Sequence, residues 1–245
     1  MNDSSAFQAH GEPACSRPAR ILVWDAPLRV FHWLMVIAFA GAWLTAESER
    51  WRLMHVAFGY TMLALVMFRV VWGVAGTRHA RFSSFVRSPA AVLRYVLSLV
   101  KGRPEHHVGH NPAGAVAIVA MLAMTVLVGL TGWAAYNGNG ESFGDLHEGA
   151  ANAMLALVMV HVAAVLVSSV VHRENLAGAM VTGYKRGAPI DGIRRARWGI
   201  AVVMTAAVIG WWWTQWQAAP QPVQSDRPVA TDTGRPAHGA ARDDD

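Results

Sequence analysis

Five stretches of this chain run for 16 residues or more with almost no Asp, Glu, Lys or Arg. They are Val30–Ala46, Leu53–Phe68 continuing past Arg69 to Thr77, Asn111–Gly140, Gly149–His172 and Trp198–Ser225, the last apolar only to Trp216. About 20 apolar residues cross a bilayer as a helix, because there every backbone N–H and C=O must be satisfied within the segment. The expected fold is therefore an all-α membrane protein: an up-down four-helix transmembrane bundle plus a fifth, C-terminal transmembrane helix. The composition agrees, since only 15% of the 245 residues are charged, against about 25% in a soluble domain.

The basic residues orient the bundle. The N-terminal segment carries three Lys or Arg, the loop 78–103 six and the loop 173–197 six, whereas 47–52 carries two and 136–148 none. Positive charge marks the cytoplasmic side, which predicts a multi-pass inner-membrane protein with a cytoplasmic N-terminus and a periplasmic C-terminus. The first span begins at Pro27, a favoured first helical residue, with Asp25 upstream. Residues 1–20 are polar and lack the basic-then-apolar layout of a signal peptide, so the first span is expected to act as an uncleaved anchor. Pro89–Lys101 alternates apolar and basic residues and predicts a helix lying in the interface. The domain reading is a polar segment 1–20, a four-helix core 21–187, a basic linker and fifth helix 188–216 and a disordered tail 217–245. Short connections make the fifth helix an appendage to an antiparallel bundle, and Trp211, Trp212, Trp213 and Trp216 read as an aromatic belt.

Cys15 is the one cysteine, which excludes a disulfide framework, a cysteine zinc cluster, an iron–sulfur site and C-x-x-C-H haem attachment. Metal chemistry would have to use the 11 histidines or carboxylates. Four histidines sit in or at the ends of apolar spans: His32, His55, His147 and His161. An ionisable side chain there is costly and points to function, although each taken singly can equally be a neutral imidazole hydrogen-bonded between helices. His161 follows His147 by 14 residues, a spacing that returns to within about 40° of the same helix face about 21 Å further on. By the predicted topology His55 and His147 lie toward the outer side, and His32 and His161 toward the inner side. The inner pair needs the fourth helix to overhang the first by about two turns, about 10 Å, for its members to be level.

Two facing imidazoles per leaflet suit six-coordinate haem iron. Zinc would want further Cys, His or carboxylate donors. Gly59, four residues after His55, and Ala151, four after His147, share the histidine faces and leave room for a flat ligand near the backbone. Arg69, 14 residues past His55, falls on the same face at the inner level. It could pair a haem propionate or snorkel to water. His79, His106, His107 and His110 belong to a basic loop and read as solvated, His172 as interfacial and His238 as part of the tail. No phosphate loop, nucleophile elbow or paired carboxylate site is evident, and the bases are not clustered as a nucleic-acid binder would need.

The order of these segments carries a resemblance. Val23-Trp24-Asp25-Ala26-Pro27-Leu28-Arg29-Val30-Phe31-His32-Trp33, His55-Val56-Ala57-Phe58-Gly59, Leu146-His147-Glu148-Gly149-Ala150-Ala151-Asn152 and His161-Val162-Ala163-Ala164 stand in sequence, followed by Arg173-Glu174-Asn175. Gly76–Phe82 and Gly109–Pro112 add to them. Over about Ile21 to Gly187 the chain resembles the bacterial cytochrome b561 and nickel–iron hydrogenase b-type cytochrome family of di-haem membrane proteins. The resemblance implies four helices, two non-covalent haem b groups, and electron transfer between the quinone pool and a partner such as a c-type cytochrome or hydrogenase-like subunit. It places His32, His55, His147 and His161 at axial iron positions, as pairs His32/His161 and His55/His147. Two alternatives remain open: a free-standing superoxide or small-oxidant:quinone oxidoreductase, and a haem-free transporter or sensor relaying protons through the histidines.

Overall fold

In the computed structural model, residues 19–86, 88–100 and 112–219 are described. Residues 1–18 (including Cys15), Lys101, His106, His107, His110 and the tail from 220, all read above from sequence, lie outside them. Helices dominate: α1 (Ala26–Thr45), α2 (Arg52–Ala75), α3 (Phe82–Phe85), α4 (Pro89–Val100), α5 (Pro112–Tyr136), α6 (Glu141–Val171), α7 (Leu176–Thr182) and α8 (Trp198–Ala218). Among the described residues, four segments are long and apolar enough to cross a membrane: α1, Glu49–Ala75, Gly114–Tyr136 and α6. The chain is a multi-pass membrane protein. The fifth expected span forms a helix of 21 residues, α8, outside those four.

Two short strands, absent from the all-α reading, join the ends of this helical unit. β1 (Ala19–Leu22) and β2 (Tyr184–Gly187) pair antiparallel, with Ala19 opposite Gly187 and Leu22 opposite Tyr184. Four-residue strands carry little periodicity of their own, so pairing across 160 residues of chain is invisible locally. The Lys185–Glu174 ion pair, 3.1 Å, supports the ribbon.

The first span starts where its cap requires. Asp25 is extended and accepts the Leu28 N–H at 2.8 Å, satisfying one of the free donors at the start of α1, with Pro27 in the first turn. The same carboxylate accepts from Trp72 Nε1 at 3.0 Å and Thr77 Oγ1 at 2.6 Å. It is wholly buried and locks the start of α1 to the end of α2. Around it Val23, Trp24, Leu28, Phe31, Leu65 and Trp72 form the core.

The α5–α6 connection is shorter than expected. α6 begins at Glu141, so much of the predicted loop 136–148 is helix, and the reversal is completed by Gly138 (φ 77°) and Gly140 (φ 105°), a left-handed region that glycine enters at no steric cost. The C-terminal end of α6 returns through α7 to the start of α1. There the Gly183 carbonyl accepts from Val23 and Trp24, and Arg29 donates to Val181 O at 2.5 Å.

The fifth helix is no appendage. α8 packs on α1 and α2, and Met204, Val208 and Trp212 lie against the core. Trp212 Nε1 donates to Thr61 Oγ1 at 2.9 Å, and its ring meets Phe58 edge-on at 5.2 Å. An indole N–H in an apolar region needs an acceptor, and the α2 hydroxyl supplies it. Trp211, Trp213 and Trp216 are exposed as an aromatic belt would be, while Trp212 turns inward.

Replacing Asp25 tests this organisation. Asp25→Ala removes a helix cap and orphans buried donors, and should cost about 3 kcal/mol. Asp25→Asn retains an acceptor and should cost markedly less. Thermal unfolding of the detergent-solubilised protein reads both.

Candidate functional site

His55 stands in the first turn of α2 and His147 in the second turn of α6. Their rings meet in an edge arrangement at a centroid separation of 6.0 Å, with planes 85° apart. His55 Nδ1 lies 2.8 Å from Ala42 O on α1, and His147 Nδ1 lies 2.9 Å from Val128 O on α5. A carbonyl only accepts, so each Nδ1 carries the proton and each Nε2 keeps its lone pair. Metal-ligating histidines show this arrangement, the second nitrogen being anchored to a backbone carbonyl. Bonds of about 2 Å from each imidazole nitrogen to one metal between them would set the ring centroids about 6 Å apart. The observed separation fits that requirement.

Glycine permits this approach. A Cβ on Gly132 would stand 2.8 Å from His147 Cε1 and 2.9 Å from Nδ1, so α5 accepts the imidazole against its backbone only because residue 132 has no side chain. Gly41 plays the same part between α1 and α2, where a Cβ would overlap the Phe58 ring at 2.6 Å. Gly59, by contrast, has no atom within 4 Å of where its Cβ would be, although it is half-buried and one turn from His55. Glycine inside a helix is destabilising relative to alanine, and no protein contact accounts for it here.

His32 and His161 make the second set, on α1 and α6. They lie within electrostatic range of each other. The His32 ring meets Trp33 edge-on at 5.3 Å, and its Nδ1 is buried with no hydrogen-bond partner. Buried polar atoms are nearly always satisfied, so this nitrogen fits a site completed by a bound group.

Arg69 is 2% exposed and does not reach water, which removes the snorkelling alternative. Its guanidinium lies over the Phe82 ring at 4.6 Å and within 5.8 Å of the Phe85 centroid. Both terminal nitrogens are buried and unpartnered. Gly73 allows Phe82 to sit so close, since a Cβ there would overlap its ring. Two free guanidinium donors in an apolar setting suit a carboxylate ligand.

Some site residues escaped the sequence reading. Asp25 is legible as a helix cap, but its bonds to Trp72 and Thr77 span 47 and 52 residues. Gly132 belongs to a small-residue pattern with Gly129 in an apolar span, the signal of close helix packing. His79, read as solvated, is buried at 9% exposure, with Nε2 2.8 Å from Asp191 O. A folded-back partner 112 residues away satisfies it, so it behaves as a structural residue. His172 binds Ser168 O at 2.9 Å at the end of α6.

Comparison with known sequences converges on one family. Residues 23–183 match the profile described as prokaryotic cytochrome b561. The chain is similar to a probable Ni/Fe-hydrogenase B-type cytochrome subunit of Rhizobium leguminosarum bv. viciae, 23% identical, covering 75% of this chain and 95% of that protein. It is also similar to the probable subunits of Azotobacter chroococcum mcd 1, at 27% identity over the same shares, and Escherichia coli (strain K12), at 24% over 66% of this chain and 89% of that protein. No solved structure matches the chain.

The glycines make opposite predictions for the ligand-free protein. Gly59→Ala meets open space and should raise stability by about 0.5–1 kcal/mol. Gly132→Ala collides with His147 and should lower it by about 1–3 kcal/mol. Thermal melts of the two variants, stripped of any cofactor, would read these opposite signs.

Proposed function

This chain belongs to the prokaryotic cytochrome b561 family, and on that premise we propose that it binds two haem b groups and carries electrons across the inner membrane between the quinone pool and a partner redox protein. The observation that carries the reading is the His55–His147 pair, 6.0 Å apart, each imidazole held by a backbone carbonyl through Nδ1. Haem iron so ligated supplies a reversible one-electron couple.

The side chains divide the work. His55 and His147 would hold one haem iron through Nε2, with the Ala42 and Val128 carbonyls fixing tautomer and ring direction. His32 and His161 would hold the second. Gly59 leaves space beside His55 for the face of a porphyrin, and Gly132 seats His147. Arg69, free at both terminal nitrogens, would pair a haem carboxylate at the end of the bundle nearer Asp25. The surrounding apolar helices exclude water and keep the dielectric low, which tunes the potentials.

The relatives named above are hydrogenase cytochrome subunits, which favours a hydrogenase-like membrane or periplasmic partner over a free-standing oxidoreductase. The fifth helix, α8, is read as a further span against α1 and α2. The basic loops put the N-terminus in the cytoplasm and the C-terminus in the periplasm.

Haem quantitation with dithionite-reduced minus oxidised spectra tests the assignment. Wild type should hold two b-type haems. His55→Ala and His147→Ala should lose the same one, and His32→Ala and His161→Ala the other. A folded wild-type protein without haem would overturn the reading. Gly59→Ala, although stabilising without cofactor, should weaken retention of the His55/His147 haem about tenfold or more. Arg69→Met should keep both haems and lower the potential of the one it pairs, by about 60 mV for each tenfold change in the redox equilibrium.

A further inference from the structure

At the end of the bundle that carries the basic loops, away from the His55–His147 pair, a groove of about 410 Å³ lies between the exit of α2 and the entry of α8. Thr77, Arg78, Arg194, Arg195 and Arg197 are among the residues lining it. Arg78, Arg194, Arg195 and Arg197 thus bring four positive charges to one exposed groove, a concentration that attracts anions. The neutralisation available among the described residues is slight. Arg78 approaches Asp191 at 3.5 Å, with the arginine side chain 62% exposed, and no acidic side chain there pairs Arg194, Arg195 or Arg197.

Two further features point to an anion. Arg197 holds a left-handed backbone (φ 58°, ψ 40°), a conformation that non-glycine residues rarely adopt. It also stands at the N-cap of α8, whose first N–H groups receive no side-chain cap. A helix N-terminus attracts phosphate through its free N–H groups and dipole, and arginine's planar fork matches phosphate oxygens.

The position specifies the source of that phosphate. Trp198, the first residue of α8, is 58% exposed and lies over Arg29 at 5.0 Å. Exposed tryptophan at the start of an apolar helix marks the headgroup level, and basic pockets between helix ends at that level suit anionic lipid headgroups. We propose that this groove is a phosphate-binding site that seats the headgroup of an anionic phospholipid, tethering α8 to the exit of α2.

The test uses the full-length protein in mild detergent, with three probes: phosphatidylglycerol, phosphatidylcholine and inorganic pyrophosphate. Native mass spectrometry reads occupancy. Phosphatidylglycerol should bind saturably in preference to phosphatidylcholine. Each arginine removed should weaken it about fivefold, giving about 25-fold for R194Q/R195Q. R50Q/R52Q, which removes the same charge at the other end of the bundle, should leave it unchanged. If R194Q/R195Q fails to fold, judged by its melting profile, Arg78→Gln and Arg197→Asn carry the comparison singly. Pyrophosphate displacing the lipid in wild type supports the same oxyanion site. Pyrophosphate binding that depends on Arg194 and Arg195, without any preference for the anionic lipid, would overturn the lipid assignment and make the ligand a soluble phosphate. Equal binding of both lipids with no pyrophosphate binding, or equal losses in R194Q/R195Q and R50Q/R52Q, would overturn the site altogether.

Discussion

A single buried carboxylate sets the frame. Asp25 caps α1 through Leu28, binds the Trp72 indole near the end of α2 and the Thr77 hydroxyl just beyond it, and has no exposure to solvent. Burying an anion this deeply is expensive unless donors surround it, and here three donors converge while Arg29 and Arg69 lie within electrostatic range. The result is a fixed vertical register between α1 and α2. Every candidate side chain on those helices, His32 and Gly41 on one and His55, Gly59 and Arg69 on the other, takes its depth from that register. The strand pairing of Ala19–Leu22 with Tyr184–Gly187 and the bonds from Val23 and Trp24 to Gly183 bring the end of the helical unit to the same point.

Histidine placement then rests on backbone carbonyls and missing side chains. A helix carbonyl already accepts within its own helix but has a second lone pair, and His55 and His147 use that capacity at Ala42 and Val128. Because both anchors lie on neighbouring helices, α1 orients the histidine of α2 and α5 that of α6. Gly132 brings α5 near enough for this to work, and Gly41 does so for α1 and α2. A site built between two hairpins in this way is rigid by construction, which suits a cofactor that must change oxidation state with little movement of its ligands.

Much of this was legible in the residues. Four of the five apolar runs form helices long and apolar enough to cross a membrane among the described residues, and a 14-residue interval put His147 and His161 on one face of α6. The spacing also placed Arg69 toward the end of α2 away from His55, though it did not make the choice between water and the protein interior. That choice was made by Phe82 and Phe85, which cover the guanidinium from a short helix beyond the α2 exit. The two strands, the inward turn of Trp212 and the burial of His79 likewise depended on partners more than 100 residues away, for which local periodicity carries no signal.

The sequence by itself determined the class of molecule and the identity of its candidate ligands, because apolar runs of about 20 residues satisfy their backbones in hydrocarbon as helices and each histidine within them is costly. Tertiary structure alone decided which nitrogen of His55 and His147 carries the proton, which glycines are clefts and which are contacts, and that α8 belongs to the bundle. Those are matters of ångström-scale approach between segments distant in the chain, and they are fixed only when Asp25, the strand ribbon and the packed helices hold all of them at once.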